Sequence, residues 1–382
     1  MPDNSAKYLF LVSSSYGHLF PAIRLAHVLQ RRGDDVLFVT ARENQPLLDL
    51  YGIKCVALDN RPNPFLSTYD WYHPEVGLHH YESIEPVVAE YRPDAIIATP
   101  LVMPAFALAE TCSVPLVVLG YCEYLFPSPG DSRSDKQWRL DSITSHYNAL
   151  RALLHLPSVE ADPAASPLKG SKYLIRSIPA FTAQEGLPPA VDFVGGLFWD
   201  AQYINYELDR FVANARAVER PLFFLQIGRL FQEKELWGAL IELLGRLPVS
   251  FIVDIGRADY MSDHTNFPDN FYLHPFIPLS HVKDELTGVI CGGQTTSVIS
   301  AIYYGKPVLG VPNSADGAEV TQRVVRNEIG AGWFRPNDVT EANFLEFMDD
   351  IERGRFTPRL QSLQEEFCFY DQEAVLYERI VS

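Results

Sequence analysis

Near its start the chain runs Tyr8-Leu-Phe-Leu-Val12, Ser13-Ser-Ser-Tyr-Gly-His18, Pro21-Ala-Ile-Arg-Leu-Ala-His-Val-Leu-Gln-Arg-Arg-Gly33 and Val36-Leu-Phe-Val-Thr40. The first stretch is continuously apolar, as a strand buried on both faces must be. The second is small and polar, with Gly17 allowing a tight turn. The third predicts a helix opened by Pro21 at its favoured first position and closed by Gly33. The fourth is another strand. Strand, helix, strand is the repeating unit of a parallel sheet.

The alternation continues along the chain. Strands are expected at 54–58, 94–98 and 115–119, with helices at 43–51, 82–91 and 103–112. Asn60–Tyr81 and Tyr121–Asp135 read as long aromatic loops, a length that points to function in a compact domain. A second alternation starts at Pro221: strands at 222–227, 250–255, 271–274, 288–291 and 307–311, helices at 234–246, 295–304 and 318–327. The tail from Thr340 reads as helical with a break near Pro358. Two successive doubly wound α/β halves are therefore expected, with ligands at the turns after the strands. The proline-rich seam near 177–215 suggests domains at 1–200 and 215–365, with 366–382 returning to the first.

A chain of 382 residues has room for two domains. Lys plus Arg number 31 and Asp plus Glu 48, a net charge of −17. That argues against nucleic-acid or anionic-membrane partners, which need a basic surface. The five cysteines, Cys55, Cys112, Cys122, Cys291 and Cys368, stand singly, as expected of reduced thiols in a cytoplasmic protein. The apolar runs are strand-sized, short of the ~18 residues of a membrane span, so no stable membrane insertion is expected. The N-terminus lacks a signal-peptide layout.

Generic signatures are missing. There is no G-x-G-x-x-G, no P-loop, no nucleophile elbow and no metal spacing. Two turns stand out instead. His18 follows the first strand, where a near-neutral imidazole can take a proton from a hydroxyl and a helix N-terminus would keep it a free base; it can also be simply a polar turn residue. Gly292-Gly293-Gln294-Thr295-Thr296 follows the strand ending at Cys291. There, glycines and a helix N-terminus would admit an anion to the backbone, or form a glycine turn with Thr caps.

Together these residues resemble the inverting, nucleotide-sugar-dependent glycosyltransferases of the GT-B fold, in particular the bacterial branch that glycosylates small natural products such as antibiotics. The resemblance rests on Gly17-His18-x-x-Pro21 with Arg31-Arg32-Gly33, then Phe276-Ile277-Pro278, Gly292-Gly293, Ala301-x-x-x-Gly305-x-Pro307 and Pro312-x-x-x-Asp316-x-x-Glu319, in order over nearly the whole chain. It implies two Rossmann-like domains facing across a cleft. It implies a metal-independent transfer without a cofactor, from a UDP- or dTDP-sugar to a hydrophobic or aromatic acceptor, and leaves a homodimer open. His18 would be the general base. Gly228, Arg229, Cys291, Gly292, Gly293, Thr295 and Thr296 would meet the diphosphate. Phe276 and Ile277 would meet the base, and Asp316 and Glu319 the sugar. Tyr16, Tyr69, Trp71, Tyr72, Tyr121 and Tyr124 lie on the expected acceptor side, either lining an aglycone site or packing beneath the loops.

Three positions depart from the family. Cys291 replaces a His that donates to a phosphate. Arg229 replaces a small hydroxyl residue and can pair with phosphate or lie on the surface. Thr99 stands where many relatives place an Asp that orients the catalytic His; Glu123 is the expected substitute, unless an acidic acceptor hydroxyl such as a phenol needs none. Two other readings stay open: a nucleotide-sugar 2-epimerase, and an inactive auxiliary protein of the same fold.

Overall fold

The computed structural model describes residues 5–58, 73–121, 125–126, 133–162, 166–184, 186–199, 201, 203–226, 234–255, 267–312 and 314–381, without the side chains of 133–134, 234–237 and 336. The chain divides into two compact units, Met1–Trp199 with Phe369–Ser382, and Asp200–Cys368.

The first unit is a parallel sheet of β1 (Lys7–Leu11), β2 (Asp35–Ala41), β3 (Lys54–Leu58), β4 (Ala95–Ala98), β5 (Leu116–Gly120), β6 (Lys172–Ile175) and β7 (Val191–Phe193), in the order β3-β2-β1-β4-β5-β6-β7. Its helices are α1 (Tyr16–Arg31), α2 (Gln45–Leu50), α3 (Pro74–Tyr91), α4 (Met103–Thr111), α5 (Arg133–Leu153) and α6 (Pro179–Thr182). Strand alternation explains the unbroken apolar run at the start. Leu9 and Leu11 enter one core with Ile84, Ala105 and Tyr147 of α3, α4 and α5. Tyr8, Phe10 and Val12 enter another with Leu19, Ile23 and Ala26 of α1. Both faces are covered, so neither alternate position can be polar.

The second unit repeats the plan with β8 (Leu222–Gln226), β9 (Ser250–Asp254), β10 (Phe271–His274), β11 (Gly288–Cys291), β12 (Val308–Gly310) and β13 (Gly330–Gly332), ordered β10-β9-β8-β11-β12-β13 and parallel. Its helices are α7 (Tyr206–Ala217), α8 (Lys234–Gly245), α9 (Leu279–Val282), α10 (Thr295–Tyr303), α11 (Ala315–Arg326), α12 (Glu341–Glu352) and α13 (Thr357–Tyr370). Phe344 and Phe347 of α12 set their rings against Phe223 of β8, 5.7 and 6.3 Å between centroids. The last helix, α14 (Glu373–Val381), belongs to the first unit and buries Leu376 and Ile380 in the α1 core. Arg24 of α1 ties its entry, donating to the Asp371 carbonyl at 2.9 Å.

Several expectations change. Pro21 does not open α1; the helix starts at Tyr16 and carries Pro21 inside it. The loop expected at 60–81 gives way at Pro74 to α3, where Tyr81 is buried and bonded to Thr111 at 2.9 Å. The interval 200–215 contains the start of α7, which counts with the second unit. The short strands β6 and β13 lack the long apolar runs that would announce them. No helix among the described residues is long and apolar enough to cross a membrane.

Candidate active site

In each sheet the strand order reverses at one place, between β1 and β4 in the first unit and between β8 and β11 in the second. Open α/β sheets bind ligands at such switch points, beyond the carboxyl ends of the strands. The turn before His18 follows β1, and the Gly292-Gly293 turn follows β11.

In the first unit, Ser15 has extended backbone and starts α1, with the N–H groups of His18 and Leu19 both reaching its carbonyl at 3.0 and 2.9 Å. His18 is thus in the first helical turn, half-buried, rather than in a loop ahead of the helix. A proline at position 21 cannot donate to the carbonyl four residues back, which is Gly17. That carbonyl accepts instead from Arg176 Nη1 at 2.8 Å and from the Tyr121 hydroxyl at 3.4 Å. The helix tolerates its proline because a side chain from the end of β6 replaces the missing donor. The ring of Tyr121 lies 5.9 Å from that of His18.

Thr99, just past β4, is 1% exposed, and its hydroxyl accepts the Ser13 N–H at 3.1 Å. It ties together the two turns at the switch point. Tyr121 was expected to face an acceptor; it is 7% exposed, with the Arg176 guanidinium 4.9 Å above its ring. It packs beside the His18 turn, its hydroxyl on the Gly17 carbonyl. Tyr16 is 49% exposed, two residues before His18. Tyr69, Trp71, Tyr72, Glu123 and Tyr124 lie outside the described residues.

In the second unit, Gly293 adopts φ +77°, and a Cβ there would sit 2.2 Å from the Gly317 carbonyl oxygen. A Cβ on Gly317 would in turn lie 2.4 Å from the Gly292 carbonyl oxygen. Backbone therefore packs on backbone, and the N-termini of α10 and α11 come together beyond the carboxyl ends of β11 and β12. Ser314 caps α11 by accepting the Gly317 N–H at 3.2 Å, whereas Gln294 gives α10 no side-chain cap. Gln294 Oε1, Ser297 Oγ and Thr321 Oγ1 are buried oxygens with no hydrogen-bond partner among the described residues. Thr295 and Thr296 are partly exposed on the first turn of α10.

Cys291 was expected to meet a diphosphate. It is 0% exposed, and the N–H groups of Gly293 and Gln294 turn toward its sulfur. Burial pushes the thiol up to about 11, so it stays neutral and inward. Glu319 is buried as well. Asp316 is exposed in the first turn of α11, but three residues on, Glu319 falls on the buried face with Val320, Arg323 and Val324. Gly228 and Arg229 lie outside the described residues.

Phe276 and Ile277 follow β10. Ile277 is 2% exposed, so Phe276 is the side chain presented there. Its backbone is braced by His274, whose Nδ1 lies 2.7 Å from the Phe276 carbonyl and 3.2 Å from the Tyr203 hydroxyl. Asn205, which caps α7, donates to Tyr203 at 3.0 Å and accepts from Tyr272 at 3.0 Å. Tyr203, Asn205, His274, Arg176 and Ser297 did not stand out in the sequence. Their isolated side chains carry no motif, and only the fold brings them to the turns.

A scan against protein-family models finds no match. The chain is 20% identical over 375 residues to a demethyllactenocin mycarosyltransferase of Streptomyces fradiae, covering 88% of this chain and 77% of that one. It is 26% identical over 358 residues to the elloramycin glycosyltransferase ElmGT of Streptomyces olivaceus, covering 85% of each. Among solved structures, the glycotransferase of kitacinnamycin superposes with a TM-score of 0.76 at 17% identity, over 100% of this chain and 98% of that one. The glycosyltransferase VinC in complex with dTDP superposes at 0.68 and 16% identity, over 98% of each.

Proposed function

The chain is a glycosyltransferase of the GT-B fold, and from that premise we propose that it moves a sugar from a UDP- or dTDP-sugar to a hydroxyl of a small hydrophobic natural product. The observation that carries the reading is the packing of Gly292-Gly293 on Gly317, which presents two helix N-termini side by side. Such termini offer unpaired N–H donors and partial positive charge. They bind a diphosphate through the backbone, so a net charge of −17 does not count against an anionic ligand. The neighbouring hydroxyls of Thr295 and Thr296 add donors, Phe276 stacks on the base and Asp316 accepts from sugar hydroxyls. The dTDP held by VinC supports thymidine as the nucleoside.

His18 is the proposed general base. It lies in the first turn of α1, half-buried, directly after the β1 turn. The imidazole takes the acceptor's hydroxyl proton as the oxygen bonds to the anomeric carbon from the face opposite the diphosphate. The bond from that carbon to phosphate oxygen breaks, the nucleoside diphosphate leaves with the electron pair, and the configuration inverts. Tyr16, exposed next to this turn, contributes to the acceptor side. No metal enters the scheme, so chelator leaves turnover unchanged. The relatives are all named as transferases, and neither a 2-epimerase nor an inactive auxiliary draws support from them.

His18→Ala tests the reading. Turnover should fall by about 100–10,000-fold, the usual worth of a general base. Calorimetric binding of dTDP or UDP should survive, because it belongs to the other unit. Undiminished turnover would remove His18 from the mechanism. Absence of binding by either nucleotide would remove the diphosphate assignment.

A further inference from the structure

We propose that Arg176 is a positioning residue for transfer: it substitutes for the helical hydrogen bond that Pro21 cannot make and so holds the first turn of α1, with His18, against the end of β6. The proposal rests on the reading of His18 as the base.

Arg176 directly follows β6 and is 2% exposed. A guanidinium taken out of water must be compensated. Its described partners are neutral oxygens. Nη1 donates to the Gly17 carbonyl at 2.8 Å and to the Tyr121 hydroxyl; Nη2 donates to the Gly196 carbonyl at 3.2 Å. Its own N–H is fixed to the Gly120 carbonyl at 2.8 Å. The rigid planar fork joins three places that the sequence keeps far apart: the α1 turn, the residue after β5 and the turn after β7. A lysine has neither the planarity nor the number of donors to do this.

The geometry closes on His18 by two routes. Gly17, the residue before it, is gripped by carbonyl. Tyr121 lies between the guanidinium, 4.9 Å from its ring, and the imidazole ring, 5.9 Å away. Losing the guanidinium would leave the Gly17 carbonyl, beside Pro21, with only the long bond from the Tyr121 hydroxyl at 3.4 Å. The first turn would then relax. A general base works only within hydrogen-bond reach of its proton, and a small displacement costs rate more than binding.

The pairing with Pro21 makes the proposal testable by rescue. In Arg176→Met, kcat should fall by about 10–100-fold, with KM for the nucleotide sugar changed less than about threefold. In Pro21→Ala/Arg176→Met the new N–H at position 21 reaches the Gly17 carbonyl, and kcat should return to within about threefold of Pro21→Ala alone. A residue that merely filled the core would give the same loss in both backgrounds, and that result overturns the proposal. The His18 ring proton resonance, assigned by its loss in His18→Ala, reports position without relying on turnover. It should shift in Arg176→Met, because its distance to the Tyr121 ring changes, and return in the double variant. An unmoved resonance overturns the proposal. Should Arg176→Met fail to fold, Arg176→Lys replaces it, and its loss of kcat must shrink in the Pro21→Ala background. If His18→Ala keeps full turnover, the base assignment falls, and the resonance alone decides whether Arg176 positions the turn.

Discussion

Gly293 and Gly317 touch through their backbones: a Cβ on the first would lie 2.2 Å from the carbonyl oxygen of the second. This contact sets two helix N-termini together. The paired glycines look like a phosphate-binding turn, but close packing alone already requires them.

Gly293→Ala should therefore be costly whether or not ligand is present. The left-handed backbone penalises a Cβ by ~1–2 kcal/mol, and the clash adds to it. A total of about 2–4 kcal/mol is expected from urea denaturation, with loss of nucleotide binding by calorimetry. Gly238 is the control. It lies in α8 with nothing within 4 Å of a would-be Cβ, and Gly238→Ala should be neutral or stabilising by up to ~1 kcal/mol.

Thr99→Val keeps the shape of a residue 1% exposed but removes the acceptor of the Ser13 N–H. Leaving that donor buried and unpaired should cost ~1–3 kcal/mol in chemical denaturation. The turn leading into His18 loses its anchor, so kcat should fall while nucleotide affinity by calorimetry stays the same. An unchanged kcat would separate Thr99 from the site.

Glu110 and the buried Arg151 give a prediction in pH. Arg151 Nη2 donates to Glu110 Oε1 at 3.0 Å, and this bond holds the Glu110 carboxyl below its ordinary 4.5. A lowered folded value means stability that is fully present above pH 4.5 and lost as pH falls through the folded value. Glu110→Gln should cost about 1 kcal/mol at neutral pH, a modest figure because the carboxylate end is partly exposed. Denaturation curves for the two proteins should converge below pH 4.5. A gap that stays constant down to acid pH would contradict the pairing.

Leu376, 0% exposed, packs α14 into the core that holds Leu19 and Ile23 of α1. Leu376→Ala should destabilise the protein by ~2–5 kcal/mol, measured by urea denaturation. A loss under ~1 kcal/mol would mean that the tail helix contributes little to the first unit.

Much of the architecture was legible because its signals are local. The run Tyr8–Val12 has to be apolar throughout, since alternate side chains enter two different cores. Gly33 and the proline-bounded seam are equally local. The places where sequence reasoning failed share a cause. Pro21 was expected at the first position of a helix, as its chemistry prefers; it sits inside α1 because Arg176, 159 residues beyond Gly17, supplies the replacement donor to the Gly17 carbonyl. Cys291 and Glu319 stand at motif positions, yet one points inward at the end of β11 and the other falls on the buried face of α11. Neither direction is set by residue type. Strands of three or four residues such as β13 and β6 carry too few side chains to show a period.

The sequence by itself determined the parallel α/β alternation, the two-unit plan and the two turns where chemistry is expected, because periodicity and chain-breaking residues act over a few residues. Only the tertiary structure decided which side chains reach those turns. Arg176 at Gly17, Thr99 at Ser13 and Gly317 at Gly293 are contacts between distant segments. They exist because the sheets bring the ends of neighbouring strands together, and hydrogen bonds and close packing are made in space, whatever the separation along the chain.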